Sequence, residues 1–186
     1  MRRLGLSVAM TMLLALPLAG YAQQPAGTGK VPAGDAKFIK QVAIGGKAEV
    51  ELGRLASERG GSDAVKQFGQ RMVNDHGKAN EELAQLAQQK GVTLPSDLDA
   101  THKKLYDRLS KLSGAKFDAA YAREMVRDHD KDVKEFEREA QRAKDADVKA
   151  WVSKTLPTLK EHQQAARQLV ANAKAAGSPS AATAPK

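Results

Sequence analysis

The chain has 186 residues, a formal charge of +8, 4 % aromatic residues and no cysteine. Without thiols there are no disulfide staples and no thiol chemistry, so the fold must hold by its apolar core. Acids and bases alternate without a dense basic stripe, and few rings are available for stacking, which excludes nucleic acid as the expected partner.

Residues 1–22 read as a signal peptide: Arg2 and Arg3 begin it, Leu4 to Leu18 is apolar apart from small and hydroxyl residues, and Gly20-Tyr21-Ala22 fits a small-x-small cleavage site. The run is short for a membrane anchor and no second one follows, so no transmembrane span is expected after cleavage. The expected location is the periplasm or the secreted fraction. Loss of Arg2 and Arg3 leaves +6, enough for weak attraction to anionic envelope components.

Residues 23–34 carry Pro25, Gly27, Gly29, Pro32 and Gly34 and form the expected flexible leader. Asp35 is then the expected N-cap of a first helix to Arg59, stopped by Gly60-Gly61. Its inward stripe is Phe38, Val42, Gly45, Glu49, Leu52 and Ala56, with a carboxylate in the middle. Ser62 caps a second helix over 63–90, closed by Gly91, on which His76 interrupts the stripe between Met72 and Leu83. A shorter helix is expected over 97–112. On it, Asp99 and His102 make an i,i+3 surface pair.

The next helix, over 116–143, repeats the second. Met72-Val73-Asn74-Asp75-His76-Gly77-Lys78 and Met125-Val126-Arg127-Asp128-His129-Asp130-Lys131 share Met-Val-x-Asp-His-x-Lys. In the same register Phe68 meets Tyr121, Leu83 meets Phe136, and Ala87 meets Ala140. One helical unit has been used twice, and His129 takes the place of His76. The last helix, opened by Asp145 or Asp147 and running to Ala175, carries His162 in its stripe and Pro157 one turn earlier, where a kink is expected. Residues 177–186 are a low-complexity tail, so the domain expected from the sequence is 35–176.

Four long amphipathic helices, a short one and no strand pattern predict an all-α bundle. Tight turns make two antiparallel pairs, and the 91–115 link with its own helix acts as a crossover between the second and third long helices. That is the ferritin-like four-helix arrangement. Glu49, His76, His129 and His162 each sit near the centre of a different long helix, so similar lengths put them at one level.

Buried imidazoles and carboxylates require hydrogen bonds, pairing or a metal. Two readings follow. In one, the four residues hold a single transition-metal ion such as iron, zinc, copper or manganese, with Asp132 as an additional ligand and Asp75, Asp128 and Tyr121 as outer partners. In the other, a His/Glu hydrogen-bond network fixes helix register in a non-enzymatic envelope interaction protein, and replacing Glu49 would orphan buried donors.

Glu49-Val50-x-Leu52-x-x-x-Ala56, Met72-Val73-x-Asp75-His76, Phe117-Asp118-x-x-Tyr121 and Leu156-Pro157-x-Leu159-x-x-His162 together resemble the secreted bacterial ferritin-like domain family of unknown function. Members are often labelled outer-membrane or periplasmic proteins. The resemblance covers about Lys37 to Ala173 and implies a ferritin-like fold and an envelope location, periplasmic or associated with the outer membrane, without an established activity. Di-iron ferritins carry Glu-x-x-His, whereas Val73, Val126 and Leu159 stand three residues before the histidines here. This disfavours a carboxylate-rich ferroxidase. A hydrolytic role would need an open coordination position on the metal.

Overall fold

The computed structural model describes residues 30–177, with side chains up to Lys174. The expected signal peptide, most of the leader and the tail beyond Gly177 lie outside the described residues. Five helices follow in order: α1 Ala33–Arg59, α2 Asp63–Gln89, α3 Ala100–Leu109, α4 Gly114–Arg142 and α5 Ala146–Gly177. Among the described residues there is no strand, and the chain is all-α.

Each boundary has a local cause. The Ser62 hydroxyl accepts from Val65 N–H and starts α2, as the sequence predicts. Gly91 takes a φ of +66° beyond its end, a conformation that glycine adopts without strain. Asp99 caps α3 by accepting from His102 N–H, so α3 is shorter than expected and begins at Ala100. The helix over α5 continues through Pro157.

Asp35 does not cap α1. It lies inside the first turn, and its carboxylate accepts from Lys144 and Asp145 N–H at 3.0 and 2.7 Å, in the turn between α4 and α5. Asp118 does the reciprocal work: it accepts from Gly61 and Ser62 N–H at 2.8 and 2.9 Å, in the turn between α1 and α2. These contacts orient the helices. The start of α4 lies beside the end of α1 and the start of α2, so α1 and α4 run antiparallel and α2 and α4 run parallel. Lys90 adds a third tie, bonding Asp145 at 2.8 Å and Asp147 at 2.6 Å from the end of α2.

Packing is closest within the pairs α1/α2 and α4/α5. A Cβ on Gly53 would come within 2.6 Å of the Gly69 carbonyl oxygen, and one on Gly69 within 2.6 Å of the Gly53 oxygen, so these helices cross backbone against backbone. Any side chain there would force them apart.

The apolar interior is divided in two. Phe38, Ile39, Leu83, Phe136, Trp151 and Val152 belong to one cluster, while Leu52, Met72, Leu109, Phe117, Tyr121 and Met125 belong to the other. In the sequence of every long helix, the polar stripe residue falls between its contributions to the two clusters: Glu49 in α1, His76 in α2, His129 in α4 and His162 in α5.

Candidate metal centre

The polar layer is buried. Glu49 is 1 % exposed, His129 0 %, His162 1 % and His76 7 %. His76, His129 and His162 converge, each with one potential ligand atom, and these three atoms lie within 4.8 Å of one another. Their ring centroids are 5.2 to 5.8 Å apart.

Hydrogen bonds outside the cluster decide which nitrogens face it. His129 Nδ1 lies 2.9 Å from the Met125 carbonyl oxygen, which can only accept, so Nδ1 carries the proton. His162 Nε2 lies 2.8 Å from Asp75 Oδ2, and the carboxylate likewise accepts. The remaining nitrogens, His129 Nε2 and His162 Nδ1, are therefore lone-pair sites, and both are buried without a hydrogen-bond partner, as is His76 Nε2. Burial holds all three imidazoles below the ordinary histidine range, His162 at about 4. They are neutral at pH 7, the state in which imidazole ligates a metal.

One residue before His76, and so about 100° round the helix, Asp75 is placed either for a histidine of a neighbouring helix or for Lys78 at the surface, and it bonds His162 of α5. Arg71, one turn earlier on α2, donates to it at 3.2 Å and also bonds Glu161 of α5. The guanidinium and His162 hold Asp75 ionised below the usual carboxylate range, against the opposing effect of its partial burial. A carboxylate–histidine pair of this kind orients a ligand ring and raises its basicity.

Glu49 is not among the side chains sharing the histidine spacing. Both of its oxygens are buried without a hydrogen-bond partner. Burial chiefly, and then the nearby Asp128 and Asp132 carboxylates, raise its pKa well above the ordinary value. Asp132 is half-buried and is pushed up to about 8 by desolvation and by Asp128. Glu49 and Asp132 thus favour their neutral forms beside Asp128. Tyr121 is fully buried, its hydroxyl is unpartnered, and its pKa is raised by burial and by Glu49. Its ring stacks on Phe117 and meets Phe68 edge-on.

His102 makes the expected pair with Asp99, 2.8 Å from Nδ1 to Oδ1. It also lines the same interior cavity as His76, a placement that its local sequence does not reveal because it depends on where α3 packs.

Three buried imidazole nitrogens with two tautomers fixed make a donor set suited to a borderline transition metal. Solved structures resemble the fold. One is a DUF305 fragment from Deinococcus radiodurans, at 12 % identity and a TM-score of 0.68, with 77 % of this chain and 99 % of that one covered. Another is a protein described as a candidate spore coat protein (BH2358) from Bacillus halodurans C-125, at 14 % identity and 0.62, with 84 % and 98 % covered. At these identities the likeness concerns the fold alone. No curated protein matches the sequence. Residues 20–169 match the profile of the DUF4142 family, described as a domain of unknown function, and the chain belongs to that family.

Proposed function

We propose that the protein is a ferritin-like bundle of the bacterial envelope that binds one transition-metal ion on His76, His129 and His162. The observation that carries this reading is the convergence of three buried histidines, each with an unpartnered ring nitrogen, with the opposite nitrogens of His129 and His162 already donating elsewhere. Lone pairs facing one another in a desolvated space repel, and a cation relieves that repulsion. Glu49 supplies α1's side of the layer with a carboxyl that would release its proton to an arriving cation, Asp132 is the additional oxygen donor, and Asp128 and Tyr121 stand behind them. Metal handling or envelope stress is the role that such binding would serve.

The site would supply a Lewis-acidic centre with iron, zinc, copper or manganese as candidate ions. The residues around it hold the rings, exclude water and keep protons off the ligand nitrogens. Exported, monomeric and mildly basic, the protein would work near anionic envelope components, in the periplasm or at the outer membrane. Among the described residues no helix is long and apolar enough to cross a membrane.

A second reading is favoured by one observation. His76 alone among the three histidines has no hydrogen bond outside the cluster, so its N–H is free to point at a neighbouring ring. In that case the layer is a structural network in an envelope interaction protein. Elemental analysis separates the two. Untagged protein purified without chelator should contain about one equivalent of transition metal, as expected for one three-histidine centre. The triple variant His76→Ala, His129→Ala, His162→Ala should contain none. A wild type that stays metal-free even after incubation with added ions leaves the network reading.

A further inference from the structure

The three histidines lie beneath the surface, so an ion needs a way in. A cavity of about 110 Å³ has His76 on its wall and is also lined by His102 of α3. Asp128, Asp132 and Glu135 of α4 line it together with a single basic residue, Lys131. His76 stands on this wall and its Nε2 is buried without a partner, so the cavity reaches a residue of the proposed centre.

His102 is prepared for ligation. Asp99 accepts from both its backbone N–H and its ring Nδ1, at 2.9 and 2.8 Å, which fixes the ring against the start of α3. With Nδ1 donating, Nε2 is a lone-pair site on a ring that is only partly exposed.

A second opening, a groove of about 170 Å³ between α2 and α5, reaches His76 and His162. Its electrostatics are different. Lys78 and Lys154 line it opposite Asp75 and Glu82, and Asp75 is already engaged by Arg71 and His162. Even with Asp132 keeping its proton, Asp128 and Glu135 outnumber Lys131, so a hydrated divalent cation would meet a balanced wall in the groove and an acidic one in the cavity.

We propose that divalent transition-metal ions reach the three histidines through this cavity. His102 captures them at the α3 side, and Asp128, Asp132 and Glu135 pass them inward by successive exchange of water for carboxylate oxygen. No electron transfer or bond cleavage is involved, only ligand exchange. The route rests on the metal reading above, and it gives a role to a histidine that the resident centre does not use. Narrow clefts lined by one sign of charge raise the arrival rate of the opposite sign, and added salt weakens the effect.

Cobalt(II) tests the route. Its visible absorption on binding can be followed by stopped flow after mixing with metal-free, full-length protein. His102→Ala and Glu135→Gln lie away from the buried layer, and circular dichroism checks their helicity. Each should reach the wild-type endpoint but about tenfold more slowly, at the low end of what charge focusing supplies. Glu82→Gln, in the opposite groove, should keep the wild-type rate. Wild-type rates in both cavity variants, or a larger slowing in Glu82→Gln, would overturn the route and leave the metal reading standing. A lowered endpoint in His102→Ala would overturn the transfer role by making His102 a resident ligand. A wild type that takes up no cobalt overturns the metal reading and the route together.

Discussion

Two sets of buried acids in the bundle are treated differently. At its ends, Asp35 and Asp118 are 4 % and 9 % exposed, and each carboxylate accepts two backbone N–H groups from the turn of the opposite helix pair. At its middle, Glu49 is more deeply buried and accepts none. Turn amides need acceptors in any case, so the end acids repay their desolvation with charge-assisted hydrogen bonds. The middle acid shares its layer with three unpartnered ring nitrogens. The contrast shows that this fold can satisfy a buried carboxylate, and that the mid-bundle layer is left unsatisfied.

Breaking an end tie should have the largest effect on stability. Asp118→Ala strands two N–H groups that depended on a charged acceptor, and urea unfolding should register a loss of about 2 to 4 kcal/mol. A loss below about 0.5 kcal/mol would mean that water replaces the carboxylate without penalty, and the two kinds of buried acid would no longer differ.

The pH dependence of the metal-free protein sharpens the contrast. Burial lowers the three histidine pKa values, so below the ordinary 6.5 the unfolded chain takes up protons that the folded layer refuses; stability is lost as pH falls toward about 4, the value for His162. Asp132 and Glu49 are raised, so the folded state keeps protons that the unfolded chain releases, and stability is lost as pH rises from the ordinary carboxylate range through about 8 for Asp132. Three histidines outweigh two carboxyl groups below 6.5, and only the carboxyl limb remains above it. The urea midpoint should therefore peak near pH 6.5, and Asp132→Asn should flatten the decline on the alkaline side. A profile that is level from about pH 5 to 8 would place the layer in contact with solvent.

The smallest effect should come from Glu49→Leu. The network reading expects a loss because buried donors would be orphaned, but Glu49 holds no donor in the structure. Removing an uncompensated buried carboxyl should leave the metal-free protein unchanged or up to about 2 kcal/mol more stable. Destabilisation by more than about 1 kcal/mol in thermal or urea unfolding would show that the carboxyl group has a partner worth keeping.

Much of this arrangement is legible in the sequence. The repeated Met-Val-x-Asp-His-x-Lys and the helical stripes pick out His76 and His129, and the stripe of α5 picks out His162, because 3.6-residue periodicity makes an inward polar residue conspicuous. From its position about 100° round the helix from His76, Asp75 is legible as a partner either of a neighbouring helix's histidine or of Lys78, with the surface pair the commoner case. Its choice of His162 over Lys78 is not, since that depends on how α2 and α5 face each other. Asp35 looks like a helix cap from its neighbours alone. Its true acceptors lie more than 100 residues away. His102 looks like half of a surface pair because the cavity it lines is built by other helices.

What the sequence by itself determined is the helical class, the number and order of the long helices, the two tight turns and the identity of the polar stripe residues, all of which rest on local periodicity, capping and glycine placement. What only the tertiary structure decided is which of those polar residues meet, which remain without partners and where an ion could pass between them. Periodicity fixes the face a residue presents. The distance between faces on different helices is set by packing, such as the Gly53–Gly69 crossing and the reciprocal ties of Asp35 and Asp118, and these are contacts between parts of the chain far apart in sequence.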